Sequence, residues 1–446
     1  MSRHIPPTSI ELPDADLVIF ARDRVKILYI SQYFPPEMGA PAARADELSR
    51  HWASMGHEVT VLTGFPNHPT GVVPAEYRSR FRRLVTRERI GGVNIVRTWL
   101  LPFPNRKAYE RMLNYSSFCA SAGSTGLFLP RPDVVIASSP QLLVGLSGWW
   151  LARCKRVPFV FEVRDLWPES LAAVGMGGSH TLLHRSLARI AGFLYRHSEK
   201  IAVVTPAFED YLVKNWAVPR KKISVVENGV ETQLFAPRAS AELRRGLNAE
   251  GKFVVSYIGT MGMAHGLDTM LAAASRLRDT NPEILFLLIG EGADKERIIA
   301  LARKQGLNNV RFVDQQPREK IPAYICASDA CLVLLKKTDL FKTVIPTKML
   351  EFMSCARPVI LGVEGQAREI LERARGGLAI EPENPEALMS AILYLASHQE
   401  MAEELGRNGR EYIVREFSRR RSAEKYIREL ERLLNLPQSR VAEVAA

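Results

Sequence analysis

The sequence predicts two α/β domains, each built on a mainly parallel sheet, joined by a short linker and followed by a C-terminal helix. Three observations carry this. The chain has 446 residues, more than one hydrophobic core usually serves. Two cycles of buried-strand run, glycine-bearing loop, helix and second strand begin at Val25 and Phe253, the order that parallel βαβ units produce. Between them, Asn228-Gly229 with Pro237 shortly after breaks regular structure and reads as a hinge.

The first cycle opens on Val25-Lys26-Ile27-Leu28-Tyr29-Ile30, a buried-strand pattern. Pro35, Pro36 and Gly39 then lead into an alanine-rich helix over 41–55, which Gly56 stops. Residues 57–63 supply a second strand, and further strands follow at 93–97, 133–137, 159–163 and 200–204. The second cycle has strands at 253–259, 284–289, 310–313, 330–335, 358–361 and 377–380, with helices at 267–279, 321–327 and 347–354. Its sheet is expected to be parallel. In the tail, Ala423, Tyr426, Ile427, Leu430 and Leu434 share one face of a basic amphipathic helix, which needs a surface to cover. The predicted divisions are a loose extension over 1–24, domains over 25–233 and 234–416, and a crossover helix and tail over 417–446.

A hydrophobic fraction of 46% with 24% charged residues excludes a largely disordered chain. The formal charge of +12 implies an anionic partner and leaves nucleic acid, acidic lipid and a phosphorylated small molecule open. Five cysteines, odd in number and without a C-x-x-C pair, fit a reducing cytoplasm. The first 24 residues lack the basic-then-apolar pattern of a signal peptide. Two uncharged stretches, 112–130 and 134–152, approach membrane-span length. Serines, Asn114 and Gly123 in the first and the Ser138-Ser139-Pro140-Gln141 break in the second argue for buried elements instead.

Ligands of parallel α/β sheets sit beyond the carboxyl ends of strands, where glycine turns and helix N-termini receive phosphate. Three such ends stand out: the loop of Pro36, Glu37 and Gly39; Gly259-Thr260-Met261-Gly262; and Gly290-Glu291-Gly292. None is a G-x-G-x-x-G fingerprint, so a dinucleotide dehydrogenase is not supported, and each alone also reads as an ordinary loop. In Thr343-Val344-Ile345-Pro346-Thr347-Lys348-Met349-Leu350-Glu351, Pro346 and Thr347 open a helix. Lys348 then lies in its first turn and Glu351 one turn on, placed for a diphosphate and a sugar diol respectively. A solvated surface pair has the same spacing.

Read together, these features resemble the retaining glycosyltransferases of family four, of GT-B architecture, and within them the bacterial polysaccharide and O-antigen branch that includes colanic-acid-like enzymes. The resemblance runs from Val25 onward. It rests on Tyr33-Phe34-Pro35-Pro36 with Gly39, Gly56-His57-Glu58-Val59, Asn228-Gly229-Val230, residues 287–292, Ser328-Asp329-Ala330, and Lys348 through Ile360. It implies two Rossmann-like domains facing across a cleft, the tail helix crossing back to the first. It also implies a nucleotide-diphosphate sugar, a uridine diphosphate N-acetylated sugar by the branch resembled, bound by the second domain. Thr260 and His265 stand where the family usually has an Arg and a Lys for the diphosphate, and Thr343 replaces the first of two glutamates spaced seven apart. Lys348, Lys342 or His265 is then expected to supply the lost charge, Glu351 to hold the ribose, and Arg311, Phe312 and Val313 to line the base.

On the acceptor side, Arg164-Asp165 stands where many relatives carry His-Asp. Arg164 is expected to hold an anionic group and Asp165 to orient a hydroxyl; a buried pair that merely closes the domain is the alternative. The resemblance implies attack from the face of the departing diphosphate, which itself takes the proton; such a reaction needs positioning and charge more than a strong base. No metal or other cofactor is expected, and no Asp-x-Asp pattern marks either half. Arg78, Arg80, Arg82, Arg83, Arg87 and Arg89, then Leu101-Pro102-Phe103-Pro104, Arg106, Lys107 and Arg111, suit a protein resting on an anionic leaflet or a plain solvated face. The expected acceptor is a polyprenyl-diphosphate-linked saccharide, reached from the cytoplasmic face of the cell membrane. A GT-B nucleotide-sugar epimerase is the nearest competing enzyme. Nucleic-acid binding is the reading from another class, disfavoured because no aromatic stacking platform or helix-turn-helix accompanies the charge.

Overall fold

The computed structural model describes residues 24–68, 70–104, 108–169 and 182–436. The predicted extension, apart from Arg24, and Arg106 and Lys107 lie outside the described residues. In the N-terminal half the strands are β1 Lys26–Ile30, β2 Glu58–Gly64, β3 Val85–Ile90, β4 Val93–Thr98, β5 Val134–Ser138, β6 Phe159–Val163, β7 Lys200–Val203 and β8 Ile223–Val225. Its helices are α1 Ala40–Ser54, α2 Ala75–Phe81, α3 Ala108–Leu127, α4 Val144–Lys155, α5 Leu182–His197 and α6 Pro206–Trp216. The sheet runs β3-β4-β2-β1-β5-β6-β7-β8, so its topological switch point lies between β1 and β5, beside the loop that starts α1.

One strand escapes the sequence pattern. β3 pairs antiparallel with β4, Val85 opposite Thr98, so this sheet is not wholly parallel. Its mostly exposed Val-Thr-Arg-Glu-Arg-Ile run reads as charge, yet Gly91 and Gly92, at φ 58° and 82°, make the tight turn that returns it as a hairpin. The stretch 112–130 is mainly α3, whose Phe118 and Ala122 are buried in the domain core. Among the described residues no helix is long and apolar enough to cross a membrane.

The C-terminal half has strands β9 Phe253–Ile258, β10 Ile284–Ile289, β11 Val310–Val313, β12 Ala330–Leu334, β13 Val359–Gly362 and β14 Gly377–Ala379. They form one parallel sheet in the order β11-β10-β9-β12-β13-β14. Helices α7 Ala241–Gly246, α8 Asp268–Thr280, α9 Lys295–Lys304, α10 Ile321–Cys326, α11 Thr347–Ser354, α12 Gln366–Ala374, α13 Pro385–Ser397 and α14 Gln399–Glu416 complete this half, and α15 Arg419–Leu433 ends the described chain. Every residue of β9 and β10 is buried, which is why both read as unbroken apolar runs.

The tail helix finds its surface on the N-terminal domain. Ala423, Tyr426, Ile427 and Leu430 of α15 join a core with Val25, Ile27, Tyr29 and Trp52. The Trp52 indole N–H donates to the Ala423 carbonyl at 3.2 Å, and its ring meets Tyr426 edge-on at 5.2 Å. The outgoing and returning connections touch: Val230 bridges Ser418, and Gly229 packs so closely on the Arg419 backbone that a Cβ there would lie 2.8 Å from it. Tyr426→Ala is expected to cost about 3–5 kcal/mol, as for other large-to-small aromatic truncations in a core. A fall of several degrees in the thermal midpoint followed by circular dichroism is the expected reading, and an unchanged midpoint would contradict this packing.

Candidate functional site

In the C-terminal domain the loops after β9 and β10 are stitched together. The Gly259 N–H donates to Ile289 at 2.9 Å and the Met261 N–H to Glu291 at 2.8 Å. A Cβ on Gly290 would run into the Gly259 carbonyl, so glycine is required there for one loop to lie on the other. Over this floor sits Lys348 of α11, its Nζ 2.8 Å from the Tyr257 hydroxyl and 4.0 Å from that ring's centre. A Cβ on Gly259 would lie 3.3 Å from the same Nζ. The Tyr257 hydroxyl donates onward to the Thr260 carbonyl at 2.6 Å. Among the described residues no carboxylate lies within salt-bridge distance of this ammonium, and burial pushes its pKa down to about 7. A cation left in that state stands ready for an anion.

His265 is brought beside it, 5.9 Å ring to ring from Tyr257. Burial and the neighbouring Lys348 push the imidazole down to about 3, so it is neutral and does not supply the missing charge. Lys342 is paired with Asp339 at 2.9 Å and Glu364 at 3.6 Å. Gly262 begins the short turn that carries His265. Thr343 donates its hydroxyl to the Leu340 carbonyl at 2.7 Å, while its own carbonyl accepts from the Thr205 hydroxyl of the other domain at 3.0 Å.

Glu351, one turn beyond Lys348, is not a free acceptor. It takes a hydrogen bond from Arg318 at 2.9 Å, and burial raises its pKa against the pull of that guanidinium. The Glu291 carboxylate is held by Lys295 at 2.5 Å, and Lys295 also reaches Asp314 at 2.7 Å. On β11, Phe312 packs into the core beneath α8 and α9, whereas Val313 packs on the opposite face. Strand alternation therefore turns Phe312 away from its neighbours Arg311 and Val313, and the three do not line one surface.

Across the cleft, Arg164 and Asp165 lie just beyond the carboxyl end of β6. They line a cavity of about 240 Å³ together with Thr205, Asn228, Pro346 and Thr347, residues of both domains and the linker. The N-terminus of α11 opens into it. The Arg164 Nε and Nη1 are buried and make no hydrogen bond among the described residues, an expensive arrangement for a guanidinium without a ligand. Burial pushes Asp165 up to about 6, against the pull of Arg164. A structural pair would show Arg164 satisfied by carboxylate; instead the neighbouring Glu162 is engaged by Arg44 at 3.1 Å and 3.2 Å. Arg44 also bonds the linker, at Asn228 and the Val226 and Glu227 carbonyls.

The Pro36, Glu37 and Gly39 loop, expected to receive phosphate, is organised around its carboxylate. The Glu37 carboxylate turns inward and accepts from the backbone N–H groups of Asn67 and His68, both at 2.9 Å, and burial pushes it up to about 7. It ties two loops together, while Gly39 precedes α1 at φ 130°. A larger opening of about 690 Å³, lined by Arg244, Asp329 and Arg357 among others, lies at the amino ends of the second sheet's strands. It contains none of the expected residues, and in such sheets ligands occupy the other end. Sequence reasoning missed Tyr257, Arg318 and Glu47; only Tyr257, an aromatic hydroxyl in an aliphatic strand just before Gly259, gave any local signal.

Two Rossmann-like domains that face each other across a cleft at the carboxyl ends of both sheets, with a tail helix returned to the first, define the GT-B class of glycosyltransferases. The chain belongs to the glycosyltransferase 4 family: the model for the glycosyl transferase 4-like domain matches residues 39–229 and that for glycosyl transferases group 1 matches residues 240–412. It is therefore an enzyme of glycosyl transfer. A protein of Escherichia coli K12 named as the colanic acid biosynthesis glycosyl transferase WcaI is 24% identical, the match covering 88% of this chain and 98% of that one. Glycogen synthase of Mycobacterium tuberculosis is also 24% identical, over 88% of this chain and 91% of its own. Among solved structures, sucrose-phosphate synthase from Thermosynechococcus elongatus superposes with a TM-score of 0.73 at 21% identity, over 92% of this chain and all of that one. Anabaena HepE, solved with UDP and glucose, gives 0.69 at 16% identity, with 92% and 100% covered.

Proposed function

We propose that this enzyme transfers a sugar, with retention of anomeric configuration, from a UDP-sugar to a polyprenyl-diphosphate-linked saccharide in cell-surface polysaccharide synthesis. The observation that carries the donor half is Lys348, a half-buried ammonium over a glycine floor with a phenol for its nearest partner. A diphosphate seated there would meet Lys348, the backbone of the Gly259 to Gly262 loop and, from across the cleft, Arg164. Glu351 then faces the ribose, and the departing phosphate takes the acceptor's proton. HepE has been solved with UDP-glucose, and WcaI is named for a surface polysaccharide; both favour this donor and pathway class. A thermal-shift screen over nucleoside diphosphates and their sugars tests it. UDP and UDP-sugars are expected to raise the midpoint of the wild type, and Lys348→Ala and Glu351→Ala to abolish the shift. Unchanged shifts in both variants would refute the placement.

The acceptor half rests on where apolar surface is left exposed. Met38, Val72, Tyr109, Leu113, Leu182 and Leu183 are exposed, and each lies just after the carboxyl end of a strand of the first sheet or at the start of the following helix. They surround the cleft end of that domain, beside Arg78 and Arg80 of α2. Apolar side chains ringed by cations suit an anionic leaflet, each cation adding about 1 kcal/mol near its surface. Salt-sensitive flotation with phosphatidylglycerol-containing liposomes is expected, weakened when Arg78, Arg80, Arg82 and Arg83 are neutralised together. Binding that neither salt nor this variant alters would contradict docking at the cytoplasmic face.

A further inference from the structure

We propose that Arg318 is the positioning residue for Glu351, and that through it Glu47 of the N-terminal domain sets nucleotide affinity in the C-terminal domain. This rests on the reading of Glu351 as the acceptor for the ribose hydroxyls. Arg318 stands in the segment between β11 and α10, and its planar fork is divided between two carboxylates. Nη1 donates to Glu351 Oε1 at 2.9 Å, while Nη2 and Nε donate to Glu47 Oε1 at 2.6 Å and 3.2 Å. The guanidinium lies over the Phe235 ring, 4.9 Å from its centre. The other oxygen of Glu47 accepts from Arg419 of α15 at 2.7 Å.

Glu47 and Arg419 are each only 2% exposed, so this end of the network is rigid. Glu47 is held well ionised because two guanidiniums outweigh its burial. Two carboxylates and two guanidiniums leave no net charge, which makes the quartet tolerable out of water. Arg318 is thus fixed from one side by Glu47 and from another by Phe235, and its remaining N–H groups reach Glu351. One Glu351 oxygen is pinned; the other takes no hydrogen bond among the described residues and is the one left for a ligand.

An arginine is needed for this because a lysine offers a point charge, not a fork that can serve two carboxylates in fixed directions. Glu47 belongs to α1, the helix whose Arg44 grips the linker and Glu162. Separating the domains about the linker would therefore pull Glu47 from Arg318 and leave the guanidinium that holds Glu351 fixed by Phe235 alone. The donor carboxylate is preorganised only when the cleft is assembled.

Calorimetric titration of the full chain with UDP and with 2′,3′-dideoxyuridine diphosphate separates this proposal from the reading beneath it. The wild type is expected to bind UDP about tenfold more tightly than the dideoxy analogue, the loss that follows when a charged acceptor is left unpaired. Absent UDP binding, or no discrimination, would overturn the ribose reading itself. Given discrimination in the wild type, Arg318→Gln is expected to bring the two ligands within about twofold. Arg318→Lys, which keeps the charge and guards against a folding defect, should retain part of the discrimination. Glu47→Gln should weaken UDP about threefold in the wild-type background and have no further effect in Arg318→Gln, since coupled residues are non-additive. Undiminished discrimination in Arg318→Gln, tighter UDP binding by it, or a Glu47→Gln effect that adds fully to it would overturn the proposal.

Discussion

Lys348→Met is expected to lower kcat/KM for the donor by about a hundredfold to a thousandfold, the range for removing one preorganised donor from developing oxyanion charge. The same lysine sets a pH signature. Free, its pKa is about 7; a bound diphosphate favours the ammonium and raises that value. Above pH 7 the enzyme must take up a proton to bind, so UDP affinity is expected to fall towards tenfold per pH unit until the raised value of the complex is passed. Proton uptake, read from titrations in two buffers of different ionisation heat, checks it. The sign for stability is the opposite one. Between about 7 and the ordinary 10.5 of a lysine, the unfolded chain holds the proton that the folded chain has lost, so Lys348's contribution makes the ligand-free enzyme more stable as pH rises through that window. Lys348→Met is expected to flatten both dependences. If the pH dependence of affinity survives in Lys348→Met, another group carries it.

What could be read from the residues follows from the range of the interactions involved. β9, β10 and β12 are buried on both faces, so hydrophobicity alone marks them, and glycines and prolines mark their ends. β3 was hidden because an edge strand in water keeps its charges, and Gly91-Gly92 was the only local mark of its turn. Lys348 and Glu351 could be paired on paper since one helical turn separates them. Arg318 could not: its partners lie 33 and 271 residues away, and no period or motif spans such distances. The surroundings of His265, Lys342 and Glu37 were illegible for a related reason. Residue type assigns a proton affinity, but burial and neighbours reassign it, and those are properties of the folded chain. The family resemblance pointed to the cleft; the partners that the fold gives each side chain there, such as Tyr257 for Lys348, were beyond its reach.

Replacing Arg164 should separate function from stability. Were it a structural pair with Asp165, Arg164→Met would strand a carboxylate and destabilise the domain. Instead its Nε and Nη1 already lack a hydrogen-bond partner among the described residues, and a buried unsatisfied donor costs about 1–3 kcal/mol each. Arg164→Met keeps the unbranched apolar stem and removes those donors, so the variant is expected to be at least as stable as the wild type while transfer falls about a hundredfold. Asp165 supplies a second readout. Arg164 is the opposing influence that keeps its pKa near 6; without the guanidinium, burial acts alone and drives it higher. A carboxylate that orients the acceptor hydroxyl is lost as pH falls through its own pKa, so the acidic limb of residual activity should move to higher pH in Arg164→Met. A less stable variant with an unmoved acidic limb would return the pair to a structural role. Stability kept and transfer lost would mean that the fold holds the Arg164 guanidinium in place for its substrate, with Nε and Nη1 satisfied by the anion that it binds.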